Sequence, residues 1–316
     1  NYIINENDSL KIPYAQKSFD AWAGRSFQLA ERTNLIFSVR NQAYVFDQRP
    51  AILPDSNNFF FNRNLLLGSA TLIKRNFFKS SLITGFGRTE DVPVNSWVIS
   101  TFGKELNTFT NRGYFDVRSG IGRYLPAAGY ISVDATLGGF YNKENKWEDG
   151  IFNVNGFYFS NLFKLRKIRM RQFINLNYVQ GYNRTVDPTV RIPRSSWRNE
   201  DGFIPLGTER ITLGTESVYF TPWYFYGFKF AVYHGFDINL LKTTSGLFNK
   251  ENFFPSVKAG MRTLNDHLVF PTLSVDFNYY FKSQGYQPSF SVRVSTTLPR
   301  LFQNIQTFRP ELARFQ

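Results

Sequence analysis

The stretch DGFIPLGTERITLGTESVYFTPWYFYGFKFAVYHGFDINL, residues 201–240, decides the fold. Within 210–216, polar or small residues occupy every second position: Arg210, Thr212, Gly214 and Glu216. Within 228–240, the apolar residues that share one face are Phe228, Phe230, Val232, Phe236, Ile238 and Leu240. Side chains alternate across a strand, so each run has one apolar and one polar or small face. A membrane barrel needs this pattern, with lipid outside and water or polar side chains inside.

The same alternation recurs along the chain in about 14 strand candidates, without a helical segment of good period. Short turns join several neighbouring candidates. The predicted hairpins pair 64–74 with 77–89, 113–124 with 130–141, 151–163 with 169–181, and 255–262 with 267–281. We therefore predict an all-β chain that forms a closed antiparallel transmembrane β-barrel of about 14–16 strands.

The composition agrees with a barrel better than with a soluble sandwich or propeller. Aromatic residues make up 18% of the chain, yet the mean hydropathy is only -0.30 and no apolar run approaches the length of a membrane helix. Aromatic clusters stand at predicted strand ends, at 223–226 and 279–281. In a soluble protein these rings would share one core, whereas at strand ends they suit the two interfaces of a membrane.

Charge and cysteine content limit the chemistry that the chain can perform. There is no cysteine and there are only two histidines, so we expect no disulfide, no metal site and no cofactor. The formal net charge is +13. A nucleic-acid partner is one interpretation, but no basic cluster is interleaved with a binding motif. Basic residues spread through a barrel interior, its rims and loops that meet anionic lipid are the preferred interpretation.

The chain divides into three regions by pattern. Residues 1–20 are polar and aperiodic, which predicts a leader or a remnant of a preceding region. Residues 21–298 form the predicted barrel, and 182–208 are its longest irregular segment, a lumenal or extracellular loop. Residues 299–316 form a C-terminal tail.

The sequence shows no convincing arrangement of catalytic residues, and we expect no enzymatic activity. His234 falls on an apolar face and His267 opens a strand, neither beside a convincing serine or acid. A barrel lipase would need a serine, a histidine and an acid converging inward, and the pattern selects none. Glu216 and Asp237 are predicted to point inward on consecutive strands, where a carboxylate needs a cation or water beside it. Lining a wet lumen is the simpler interpretation of the pair.

The order of these motifs resembles a known family. A Gly-Phe loop, Gly-Thr-Glu-Arg at 207–210, a strand with Glu216 and a strand with Phe236-Asp237 follow one another. This order resembles the barrel of the BamA-like surface-antigen superfamily of outer-membrane assembly factors and two-partner secretion translocators. The run GMRTLNDHLVF, 260–270, resembles the late hairpin of that superfamily.

The resemblance implies a lumenal lock. In that family a long loop folds into the lumen, and its Arg-Gly-aromatic tip pairs with acidic residues on the next two strands. Here the tip would be Asp201, Gly202 and Phe203, and the barrel-wall acidic partners would be Glu216 and Asp237. Asp201 stands where the family has arginine and would repel both carboxylates. Arg198 and Arg210 are the candidate cationic substitutes.

The resemblance also implies a location and a function. It predicts a multi-pass barrel in the outer membrane of a Gram-negative-type bacterium, in contact with the lipid bilayer and lipopolysaccharide. Its function would be outer-membrane protein insertion or translocation, with client proteins and other subunits of a complex as partners. The family carries POTRA modules before the barrel, and none is visible in 1–20, so an accessory subunit fits too. The alternative is a porin-like diffusion channel or a structural barrel without protein clients.

Overall fold

A computed structural model gives the fold of the chain. It describes residues 2–4, 11–53, 58–83, 86, 89–142, 144, 146–184, 189–192, 205–242, 252–265, 267, 272–283, 286–296 and 308–315. Within these residues the structure is almost entirely β, which confirms the predicted all-β class. A short 3-10 turn lies at Asn58–Phe60.

The strands are long and follow one another with few interruptions. They are β1 (Tyr2–Ile4), β2 (Lys11–Pro13), β3 (Ala15–Ala30), β4 (Thr33–Gln48), β5 (Arg63–Lys74), β6 (Phe77–Ser81), β7 (Thr89–Pro93), β8 (Ser96–Asn107), β9 (Asn111–Leu125), β10 (Gly129–Tyr141), β11 (Trp147–Ser160), β12 (Phe163–Leu165), β13 (Ile168–Tyr182), β14 (Val190–Arg191), β15 (Leu206–Gly207), β16 (Glu209–Phe225), β17 (Phe228–Lys242), β18 (Phe253–Leu264), β19 (Thr272–Tyr280) and β20 (Ser289–Ser295).

Most of the chain belongs to one antiparallel sheet of 14 strands. Thirteen of them follow the order β20-β19-β18-β17-β16-β13-β11-β10-β9-β8-β5-β4-β3, and the short β12 pairs with β13. Three small two-stranded sheets, β1-β2, β6-β7 and β14-β15, lie off this path. Each long strand therefore pairs with the next long strand in the chain, as in an up-and-down barrel.

The outermost strands of the path are β3 and β20. Since directions alternate along an antiparallel path, the first and thirteenth strands run the same way. Among the described residues no pairing joins these two strands. β3 begins at Ala15, six residues before the predicted start of the barrel at 21, because its register with β4 continues to the pair Ala15 and Gln48.

Three of the four predicted hairpins are confirmed. β9 pairs with β10, β11 with β13, and β18 with β19. The predicted pair 64–74 with 77–89 is wrong. β5 pairs instead with β4 and β8, while β6 pairs with β7 as a separate hairpin. A strand of this separate hairpin shows the same alternation as a strand of the main sheet, so the pattern could not distinguish them.

The two faces of the main sheet have opposite chemistry. One face, called here the inner face, carries buried polar and charged side chains: Ser38, Arg40, Ser69, Thr71, Thr101, Glu105, Arg112, Asp116, Arg171, Arg210, Asn239, Ser256 and Ser274. The other face carries exposed apolar side chains: Phe37, Val39, Leu66, Leu72, Phe102, Phe115, Ile131, Val133, Leu137, Leu176, Phe236, Val257, Phe277 and Val292. The inner face also buries apolar side chains such as Leu65, Leu67 and Leu241. Burying charged side chains on one face while exposing apolar ones on the other nevertheless departs from a soluble protein, whose charged side chains lie mostly at the surface.

The β6-β7 hairpin packs against the inner face near the ends of the strands. Its Ile83, Phe86 and Val92 join a buried cluster with residues of β10, β11, β13, β16, β17 and β18. Arg171 fixes the hairpin, because its guanidinium donates to the main-chain oxygens of Ser81 at 2.9 Å and Leu82 at 3.0 Å. Part of the chain that resembles a barrel strand in sequence therefore fills space on the polar side of the sheet.

Trp97 lies across Gly120 on the inner face. A Cβ at position 120 would come within 2.5–2.6 Å of the indole ring. Gly120→Ala is therefore expected to displace Trp97 and to destabilise the protein by about 1–3 kcal/mol. Gly113→Ala in the same strand is the matched control, because its nearest neighbours would lie 4.0 Å away. Thermal unfolding in detergent checks both variants, and equal midpoints would contradict the expected clash.

Candidate functional site

Two carboxylates and two cations form a compact cluster on the inner face. Arg262 on β18 makes a bidentate pair with Glu216 on β16, with N–O distances of 2.8 and 3.1 Å. Lys258 lies 3.4 Å from Asp237 and 3.7 Å from Glu216. A bidentate arginine–carboxylate pair is the strongest common ion-pair geometry, so Glu216 is the best-held carboxylate of the cluster.

Small residues make room for this cluster. A Cβ at Gly214 would lie 2.6 Å from an Asp237 carboxylate oxygen, and a Cβ at Gly235 would lie 2.6 Å from the Lys258 side chain. Tyr233 extends the network, because its ring lies 4.1 Å below the Arg262 guanidinium and its hydroxyl donates to Asp276. The cluster therefore joins β16, β17, β18 and β19 through side chains.

The structure places the sequence-predicted site residues as follows. Glu216 and Asp237 share the inner face and lie on paired strands. Arg210 lies on the same face, but its guanidinium donates to Asn177 at 2.7 Å and to the main-chain oxygen of Arg191. The predicted loop tip Asp201, Gly202 and Phe203, together with Arg198, lies outside the described residues.

Sequence reasoning missed Lys258 and Arg262 as the cationic neighbours of the two carboxylates. A signal was present, because the alternation of β18 puts Lys258 and Arg262 on its polar face. Pairing them with Glu216 also requires the neighbouring strand and its register, which place Lys258 opposite Gly235. Among the described residues, the cluster holds two acidic and two basic side chains.

The C-terminal segment, residues 308–315, crosses the inner face. Four wall side chains hold its main chain. Ser38 donates to the oxygen of Phe308 at 2.6 Å, Arg40 to that of Pro310 at 2.9 Å and Arg118 to that of Glu311 at 2.9 Å, while Tyr114 accepts from the N–H of Ala313 at 2.7 Å. The segment thus runs from β4 to β9 in an extended form, held by sequence-distant partners.

Side chains of the C-terminal segment add anchors at both of its ends. Arg75 lies 5.2 Å above the Phe308 ring, and Arg184 lies 4.2 Å above the buried Phe315 ring. Arg309 bonds Glu311 at 3.0 Å. Burial raises the pKa of the Glu311 carboxyl, but the hydrogen bond from Arg309 and the charges of Arg309, Arg314 and Arg40 together lower it by more, so this pKa lies below its usual value.

A row of polar side chains continues the wall beyond the C-terminal segment. Asn155 donates to Asp134 at 2.7 Å, Asn177 donates to Asn155 at 2.6 Å, and Thr212 donates to Asn239 at 2.8 Å. Each bond joins residues directly opposite one another on paired strands. The row therefore crosses β10, β11, β13, β16 and β17 at one level.

A cavity of about 480 Å³ lies between this row and the C-terminal segment. Its wall includes Ser69, Thr71, Trp97, Arg118, Asp134, Thr136, Asn153 and Asn155, with residues 308–314 on the opposite side. The Thr71 hydroxyl is buried and has no hydrogen-bond partner within the described part of the chain. The cavity suits water or a ligand with polar groups because of its other lining side chains, such as Asp134, Asn153 and Asn155.

The described residues offer little to covalent or metal chemistry. Among them, no group of three or more histidine, cysteine or acidic side chains is placed to hold a metal ion. His234 is exposed and stacks on Tyr219 at 5.6 Å. The main-chain N–H of His267 donates to Asn265 in a turn. Within the same residues, no helix is long and apolar enough to cross a membrane.

Comparisons with known proteins give a likeness among solved structures alone. No protein-family model and no curated protein matches the chain. Among solved structures it is similar to CdiB from Acinetobacter baumannii, with 12% sequence identity and a TM-score of 0.47. The match covers 92% of this chain and 55% of that chain, so this chain spans about half the length of the solved one. At this identity and score the likeness does not establish a family.

Proposed function

We propose that the chain is a multi-pass β-barrel of the outer membrane of a Gram-negative-type bacterium. The observation that carries this proposal is the burial pattern of the main sheet, with apolar side chains exposed on one face and charged side chains buried on the other. Lipid is the solvent that matches the apolar face, and an enclosed aqueous lumen matches the polar one. The lipid bilayer and lipopolysaccharide are then the surroundings of the exposed apolar face.

We further propose that the barrel takes part in protein insertion or translocation. Support comes from the inner face, which is occupied by two segments of the chain itself, the β6-β7 hairpin and residues 308–315. A diffusion channel needs an open lumen, whereas a translocator needs one that stays closed until a client arrives. The motif order around Glu216 and Asp237 supports a BamA-like barrel as the finer proposal, acting alone or within a larger complex.

The proposed mechanism is non-covalent. Client strands would pair with an exposed strand edge, as extended peptides do when they add to a sheet. β3 and β20 are the candidate edges, and one strand between them would run antiparallel to both. Segments on the inner face would move aside while the acid–cation cluster holds β16 to β18 together.

Conductance in planar bilayers tests the plugged barrel. The intact chain is expected to show a small, mostly closed conductance, and deletion of residues 308–316 is expected to increase it. A large steady pore that this deletion leaves unchanged would support the diffusion channel instead. Proteoliposomes test the client step: those with the chain should fold an unfolded outer-membrane barrel faster than those with heat-inactivated chain.

A further inference from the structure

The hydrogen bonds with which the wall holds the C-terminal segment are independent of that segment's sequence, although its Phe308, Arg309 and Phe315 side chains add contacts of their own. Wall side chains make four hydrogen bonds with the main chain of the segment. They donate three to carbonyl oxygens and accept one from an N–H. Every polypeptide presents these groups. A wall that binds them can accept other extended sequences.

The wall has further capacity beside the segment. The 480 Å³ cavity is lined by members of the polar row, including Asn153 and Asn155. An asparagine side chain carries a carbonyl acceptor and an amide donor, the same two groups as a peptide bond. The cavity is therefore lined by groups that match an extended main chain, next to a main chain already bound.

The charge of the wall also fits a polypeptide better than a simple ion. Arg40 is paired with Asp20 at 2.6 Å, and Arg118 with Asp116 at 3.2 Å. Their positive charges are therefore largely compensated, while their remaining N–H groups point at peptide carbonyls. Compensated cations provide strong directional donors without attracting free anions.

We propose that the inner face from β4 to β13 is a binding site for an extended, unfolded polypeptide segment. Residues 308–315 are its resident occupant, and a segment of a client protein competes with them for the same donors and acceptors. The inference rests on the proposed function, because only a barrel that handles unfolded proteins would meet such a ligand. The C-terminal segment would then mimic the client segment and would be displaced by it.

The test cuts the covalent link between the segment and the barrel in the folded protein, so that the segment can stay bound or leave. A site for a specific protease is placed within 299–307 of the full chain, and the folded protein is cut in detergent. Cutting removes the high effective concentration that a covalent tether supplies. The released peptide is followed by mass spectrometry, and a fluorescent synthetic peptide with the sequence 308–316 is then added and its anisotropy is measured.

The proposal expects the cut peptide either to stay bound or to be replaced by the synthetic one at saturable occupancy. A scrambled peptide of the same composition is expected to keep saturable binding through the main-chain hydrogen bonds, but about tenfold more weakly, because it loses the contacts of the Phe308, Arg309 and Phe315 side chains. Loss of the cut peptide without any rebinding would overturn the proposal. So would binding of maltoheptaose in place of both peptides, because this result would mark a glycan site.

A wall variant and its matched control complete the test. Arg40→Met with Asp20→Asn removes both the donor to the Pro310 oxygen and the Asp20 carboxylate that pairs with Arg309, while the net charge of the wall stays the same, and should weaken peptide binding by about tenfold. Lys17→Met with Asp47→Asn removes an exposed ion pair from the same two strands and should leave binding unchanged. Equal effects of the two double variants would overturn the proposed contacts. These binding measurements are independent of bilayer conductance, so this inference and the proposed function can fail separately.

Discussion

Replacing Arg262 by methionine is expected to destabilise the folded protein by up to about 3–5 kcal/mol, the range for breaking a buried ion pair by removing one partner. The reason is Glu216, whose side chain is only 16% exposed and whose two oxygens are both bonded by Arg262. Without the guanidinium, the cation that remains beside the carboxylate among the described residues is Lys258 at 3.7 Å, which Asp237 shares. Denaturant unfolding of the detergent-folded protein measures the loss.

The double variant Arg262→Met with Glu216→Gln identifies the cause. It removes the uncompensated charge and should recover most of the lost stability, whereas loss of packing by the Arg262 stem would leave both variants equally unstable. Lys146→Met is the exposed control, because Lys146 pairs with Glu144 in a turn where both side chains are about 70% exposed. No measurable change is expected there. Equal losses in all three variants would contradict the ion-pair explanation.

The alternation of polar and apolar residues allowed the strands and their two faces to be predicted. Side-chain direction has period two, so placing Glu216 and Asp237 on one face required only their positions in the sequence. The hairpins with short turns followed from proximity along the chain. Closure of the sheet could not be predicted from alternation. It depends on whether the two edge strands, β3 and β20, pair with each other, and no local sequence pattern relates these two strands.

The partners of the predicted carboxylates could not be obtained in the same way. Arg262 is 46 residues from Glu216 and contacts it across the intervening strand β17. A shift of one residue in the register of β18 would turn both Arg262 and Lys258 to the other face. The polar face of β18 was visible in the sequence, but the choice between Arg262 and a nearer arginine such as Arg210 depended on that register.

The β6-β7 hairpin and the C-terminal segment show a second limit. Phe77–Pro93 has the composition of a barrel strand pair, yet it packs on the inner face through Ile83, Phe86 and Val92. Residues 308–315 have no period at all, and their wall contacts reach residues nearly 200 or more positions away. Contacts of this range are determined by the assembled sheet, so a local pattern does not contain them.

Truncation after Thr307 is expected to raise the conductance of the barrel in planar bilayers several-fold. The truncation removes the segment that crosses the inner face from β4 to β9 and ends at the buried Phe315 ring. It also opens the 480 Å³ cavity, because residues 308–314 form one of its sides. Adding the synthetic peptide 308–316 should close the channel again, since the wall donors remain in place.

Arg314→Ala is the matched control for this truncation. The Arg314 side chain is 71% exposed and its ion pair is with Glu311 inside the same segment, so its loss leaves the wall contacts intact. Its conductance should equal that of the parent. If truncation also leaves the conductance unchanged, residues 308–315 are not the obstruction, and the β6-β7 hairpin, which Arg171 holds against the inner face, becomes the segment that blocks the lumen. The two segments contact different parts of the wall, so conductance can assign the closed state to one of them.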